Sequence, residues 1–164
     1  MNLERPMRTT EVPASRSPGG LGSGPDKPRV LVVCEEDSVS TNLMAAFSRA
    51  GLCAQLATTM TAACEAARSG GFQVVISAPV LRDGSWRRLS DMGSHYELEF
   101  VIILVATETE AEDWAAAIEG GVFEILDPQQ DLPMAVQVAK RAGWAAYLKG
   151  GSSRLEQTHP PRAA

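Results

Sequence analysis

Carboxylates, thiols and hydroxyls gather at four points along the chain. Cys34-Glu35-Glu36-Asp37 follows the apolar run RVLVVC (29–34), and Ala78-Pro79-Val80-Leu81-Arg82-Asp83-Gly84-Ser85 follows QVVIS (73–77). Val105-Ala106-Thr107 closes FVIILVA (100–106), and Asp127-Pro128 follows VFEIL (122–126). Grouped acids suit a hard divalent cation, which takes oxygen ligands in near-octahedral geometry. Glu35 and Glu36 are the weak candidates for such a site, with Asp83 as an outer partner, and Asp37 suits the start of a helix. Thiols could serve redox chemistry, but Cys34 ends one apolar run and Cys53 opens the next. In neighbouring parallel strands those ends lie at opposite sheet edges, well beyond the ~7 Å Cα limit for a disulfide. Cys34, Cys53 and Cys64 therefore read as small buried hydrophobes. His95 and His159 fall in a loop and near the terminus, and Ser77, Ser85 and Ser90 have no evident base nearby. Nothing here makes a nucleophile–base pair or a firm metal site, so the expectation is a non-enzyme without a cofactor.

The elements that would position these clusters are legible. The runs at 29–34, 53–57, 73–77, 100–106 and 122–126 are short, rich in Val and Ile, and continuous rather than alternating. That pattern marks strands buried on both faces. Helical stripes lie between them: Val39, Leu43 and Phe47 before Gly51; Met60, Cys64 and Ala67 before Gly70; Trp114, Ala117 and Ile118. The last stripe is Leu132, Val136, Ala139, Gly143 and Ala146. Asp37 reads as a cap, Thr107 with Glu110 as a capping box, and Asp131-Leu132-Pro133 as a helix start with proline in the first turn. Five strands alternating with five helices predict an α/β, three-layer flavodoxin-like (βα)5 domain with parallel sheet order 2-1-3-4-5. Ligands of such sheets bind beyond the carboxyl ends of the strands, where all four clusters fall.

Composition frames this domain. The chain has 164 residues, which gives a prior of one domain at ~150 residues each. Residues 1–28 hold five of the ten prolines and the run GGLGSG, with few large apolar side chains. Residues 150–164 are biased toward Gly, Ser and Pro. Both are expected to be disordered tails around a domain at 29–149. The glycine run precedes the first strand, whereas a phosphate-cradling loop follows one. Each tail carries +1, so the −5 total leaves −7 on the domain. An acidic domain is a poor match for nucleic acid, which needs a basic face. The longest apolar run, Phe100–Ala106, is far short of the ~20 residues of a membrane span. No apolar signal core opens the chain, so a cytoplasmic setting is expected.

Between Lys27 and Lys149 the chain resembles the receiver domain of two-component response regulators, of the chemotaxis-regulator type. The resemblance rests on VLVV followed by acids, VVISxPVLxDGS, VIILxA, and GVFEIL before a proline-containing loop and a final helix. In that family an acidic pair and an aspartate hold Mg2+, and the aspartate accepts a phosphoryl group. A hydroxyl and a lysine bind the phosphoryl oxygens, and an aromatic residue swings in response. The resemblance places Cys34 at the first acid, Glu35 at the second and Ala78 at the acceptor. Val105 falls at the hydroxyl position, Asp127 or Pro128 at the lysine, and Ile125 at the switch aromatic, with Phe123 two residues earlier. The implied protein is a degenerate pseudo-receiver whose pocket has lost phosphotransfer.

On the last helix, Trp144 and Leu148 lie i, i+4 on the side away from the predicted core stripe, with Arg141 beside them. Trp, Leu and Arg together have the composition of an interface anchor, and Trp114 of the preceding helix joins them. The expected function is a phosphorylation-independent interaction or dimerisation module in two-component-type signalling, binding itself or a signalling protein. The alternatives are a receiver with residual Mg2+ and phosphoryl sensitivity, and a small-ligand-binding α/β domain.

Overall fold

The computed structural model describes residues 27–107 and 114–158. The strands are β1 (Val30–Val33), β2 (Ala54–Ala57), β3 (Val74–Ser77), β4 (Val80–Leu81), β5 (Gly84–Ser85), β6 (Val101–Val105) and β7 (Val122–Leu126). The helices are α1 (Asp37–Arg49), α2 (Met60–Gly70), α3 (Trp86–His95), α4 (Trp114–Glu119) and α5 (Ala135–Thr158), with a 3-10 turn at Leu132–Met134 leading into α5. Five strands form one parallel sheet, β2-β1-β3-β6-β7. This is the expected 2-1-3-4-5 order once the β4–β5 hairpin, absent from the sequence reading, is set aside.

Continuous hydrophobicity in β1 and β3 has the predicted cause. Every residue of both strands is buried, because one face packs on α1 and α5 and the other on α2 and α3. On α1, Val39, Leu43 and Phe47 all turn inward, as their spacing predicts. Its cap differs: Glu36 holds that position without a side-chain hydrogen bond, and Asp37 is the first helical residue. On α2, Met60, Ala63 and Ala67 are buried, with Cys64 at the margin of the core. Cys53 is exposed at the amino edge, its carbonyl accepting from Val30 N–H, so it is not the buried hydrophobe expected.

The last helix corrects two expectations. Its buried side is Ala135, Val138, Ala139, Ala142, Gly143 and Ala146, while Leu132 and Val136 are half-buried at the margin. The stripe is thus rotated by about one residue, toward alanines that let the helix lie close on the sheet. The helix also continues through Gly150, where a tail was expected to begin, to Thr158. Gly150 is buried, and a Cβ there would overlap the Glu99 carboxylate. This glycine is a point of close approach between α5 and Glu99. Residues 1–26, Glu110 of the expected capping box, and His159 lie outside the described residues.

Candidate functional site

The carboxyl ends of β1, β3 and β6 open on a cleft of about 680 Å3. Residues of all four clusters line it, and most of their charged groups are engaged with nearby backbone or side chains.

Cys34 is buried at the end of β1, with Sγ 3.6 Å from the Glu36 carbonyl. Burial pushes its thiol pKa up; the backbone of Glu36 partly offsets this, and the carboxylates of Glu36, Glu35 and Asp37 raise it further. The group is a neutral thiol at neutral pH. Glu35 reaches across to the β4–β5 hairpin. Its Oε2 accepts from the Arg82 backbone N–H at 2.7 Å, and its Oε1 lies 3.7 Å from Arg82 Nε. The exposed ion pair contributes little, whereas the carboxylate–amide hydrogen bond is charge-assisted and short. Ala78 presents a methyl group. Its N–H donates to the Val33 carbonyl and its own carbonyl accepts from the Ser77 hydroxyl, which is fully buried.

Val105 is buried at the end of β6, and Thr107, two residues on, contributes to the cleft wall. Asp127 closes its own loop: its carboxylate accepts from Gln129 N–H at 2.7 Å, and its N–H donates to Asp131 Oδ2 at 2.8 Å. Asp131 precedes the 3-10 turn but makes no side-chain cap to it. Ile125 and Phe123 sit on opposite faces of the sheet, although two residues apart. A register shift between Ile102 and Ile103 puts Phe123 in a bulge, so Phe123 packs toward α1 and α5 and Ile125 toward α2 and α3.

Asp83, expected beside the acids, works elsewhere. The β4–β5 turn carries it to the start of α2, where Oδ1 and Oδ2 accept from the N–H groups of Met60 and Thr61 at 2.7 and 2.9 Å. Two otherwise unpaired helix donors are thereby satisfied; Thr59 satisfies a third, at Ala62. These bonds lower the Asp83 pKa from 3.8 to about 2. A carboxylate favoured in the folded state stabilises it above the ordinary carboxylate pKa, and this contribution is lost as pH falls through about 2. Asp83→Ala is therefore expected to lower Tm at neutral pH, with the gap to wild type closing progressively below about pH 4. Paired thermal melts across that range check this; a gap that persists unchanged at the acid end would mean the helix start is held some other way.

The receiver resemblance implies Mg2+, and the donors do not fit it. Position 34 offers a protonated thiol, position 78 a methyl group, and Glu35 is engaged with Arg82. Mg2+ binds through hard oxygen ligands. Among the described residues no three His, Cys, Asp or Glu side chains gather as a metal site.

On the outer side of α5, Trp144 and Leu148 are 44% and 61% exposed, and Tyr147 meets the Trp144 ring edge-on at 5.8 Å. Arg141 is paired with Glu124 of β7 at 3.1 Å. Trp114 is half-buried, its indole N–H enclosed without a hydrogen-bond partner among the described residues. Ile118, predicted inside, is half-exposed, while Ala117 carries the α4 contact with the core. Among the described residues no helix is long and apolar enough to cross a membrane.

Solved structures place this architecture. The chain is similar to the non-phosphorylated HemR receiver domain from Leptospira biflexa, with a TM-score of 0.62 and 20% identity over 71% of this chain and 94% of that one. It is also similar to the signal receiver domain of an HD domain-containing protein from Pseudomonas fluorescens, with a TM-score of 0.64 and 20% identity over 74% and 98%. A third similar structure is the beryllofluoride-activated NtrC4 receiver domain dimer, with a TM-score of 0.58 and 22% identity over 70% and 98%. The fold is that of response-regulator receiver domains. No protein-family model and no curated protein matches the sequence.

Proposed function

We propose that the chain is a pseudo-receiver: a non-enzymatic, phosphorylation-independent interaction module in two-component-type signalling. The observation that carries this reading is the methyl group of Ala78 at the acceptor position, beneath acids already committed to other partners. Glu35 holds Arg82 and Asp83 holds the start of α2. Phosphoryl transfer depends on positioning and charge neutralisation; here Ala78 replaces the acceptor, which is also a metal-facing carboxylate, Cys34 replaces a second, and Asp127 or Pro128 stands in place of the lysine. The absence of a hydroxyl at 105 and an aromatic at 125 removes the parts that would convert a phosphoryl group into a conformational change. The domain then acts by presenting one surface. Trp144 and Leu148 on α5 supply its apolar anchor, with the Arg141–Glu124 pair at its edge, and the partner is a second copy or a signalling protein. The similar NtrC4 receiver was solved as a dimer, which accords with a surface of this kind.

The test is association measured by analytical ultracentrifugation, of the chain alone and with candidate signalling partners. Runs with and without acetyl phosphate and Mg2+ are compared. The same association constant in both conditions is expected. Association that appears only with the phosphodonor would return the chain to the working receivers.

A further inference from the structure

We infer that the cleft at the carboxyl edge is a binding site for a small amine with an apolar body. The inference goes beyond the interaction module and does not depend on it.

The cleft has the size and lining of a ligand site. At about 680 Å3 it falls within the ~300–1,000 Å3 typical of small-molecule pockets. It runs from the strand ends down between α1 and the loop before α5. Its floor is apolar: Ile76 and Leu43 are almost fully buried, with Val105 and Val39 beside them and Leu132 closing one side. The methyl group of Ala78 and the isopropyl group of Val105 stand where the receiver resemblance calls for a carboxylate and a hydroxyl. The former polar centre of the pocket is therefore hydrocarbon.

Charge selects the class of ligand. Glu35 and Glu36 are the acids in the lining, which contains no Lys or Arg among the described residues. Arg82 reaches Glu35, but its side chain is 90% exposed and points to solvent rather than into the lining. Glu36 is exposed at the mouth, its Oε2 3.4 Å from the Ser38 hydroxyl. An anionic ligand would meet the Glu36 carboxylate, which pairs with no Lys or Arg among the described residues. An ammonium group would meet Glu36, while its apolar body packs on the accessible edges of Val39 and Val105. Asn42 and Gln129 at the rim supply neutral hydrogen-bonding groups.

The experiment uses the full chain and three probes that share a benzyl group: phenethylamine, phenethyl alcohol and phenylacetate. Each is titrated at neutral pH, following backbone amide shifts. Saturable shifts at Cys34, Ser77 and Val105 are expected with the amine. Binding about ten-fold weaker is expected for the alcohol, and none for the acid at the same concentrations. Glu36→Gln is expected to bring the amine down to the affinity of the alcohol without altering the spectrum elsewhere. Ala78→Leu fills the floor and is expected to abolish binding of both; a preserved amide spectrum separates a filled cleft from a misfolded chain. Phenylacetate binding as well as the amine, shifts confined to surfaces outside the cleft, or no saturation by the amine would each overturn the inference. An amine preference that survives Glu36→Gln would overturn the role given to that carboxylate. None of these outcomes alters the association constants by which the interaction module is judged.

Discussion

Replacing Trp144 by alanine and Leu148 by serine together is expected to weaken association at least about thirty-fold while leaving the melting curve almost unchanged. Thirty-fold corresponds to about 2 kcal/mol, the threshold for an interface hot spot. Both side chains are on the outer side of α5, and exposed substitutions usually change stability by no more than about 0.5 kcal/mol. The contrast with a buried position of the same helix is sharp. Val138 and Ala142 are fully buried, so a polar substitution there would unfold rather than dissociate. Sedimentation and thermal melts on the double variant decide the matter. A variant that unfolds would show that α5 is held through its outer face; one that stays folded and associates as before would move the interface elsewhere. Arg141→Ala serves as a control. Its pair with Glu124 is half-exposed, and breaking it is expected to have a far smaller effect than the double substitution.

The second large effect is the failure of a rescue. Ala78→Asp restores the nucleophile, yet its phosphorylation by a small phosphodonor is expected to stay at least about a hundred-fold below that of a complete receiver. Losing one preorganised group that stabilises transition-state charge typically costs about 10²–10³ in rate. Val105 stands where the receiver resemblance calls for a hydroxyl, Asp127 or Pro128 where it calls for a lysine, and Cys34 supplies a neutral thiol where it calls for a metal-binding acid. Glu35 would also have to release the Arg82 amide to meet a cation. Time courses with acetyl phosphate and Mg2+ on the single variant measure this. Adding Cys34→Asp and Val105→Thr is expected to raise the rate stepwise. Rapid modification of the single variant would mean that position 78 alone had been limiting.

The fold was legible because its signals are local. VLVV, VVIS and VIILV are buried on both faces and need no partner to be read as interior strands. The stripe Val39, Leu43, Phe47 meets the core just as its spacing implies. What escaped is long-range. Glu35 and Arg82 are 47 residues apart, and Asp83 and Met60 are 23 apart. No spacing rule connects them, so Asp83 read as a cation partner when its place is the start of α2. The available signal is the Asp83-Gly84 pair, which marks a turn, although the turn itself is Arg82-Asp83 and Gly84 opens β5. The end of α5 has the same root: the Gly, Ser and Pro bias of residues 150–164 reads as a tail, while the close approach of Gly150 to Glu99 joins residues far apart in the chain. The shift at Phe123 likewise belongs to strand pairing, which the strand's own residues do not encode.

With Ala78 and Cys34 in its pocket, this receiver fold is expected to accept no phosphoryl group. Intact-mass analysis of the wild-type chain after incubation with acetyl phosphate and Mg2+, performed under mildly acidic conditions that preserve an acyl phosphate, tests it most directly. The expected spectrum is that of the untreated protein, with no species heavier by one phosphoryl group. A phosphoryl adduct mapped to Glu35, Glu36, Asp83 or any other carboxylate would contradict it.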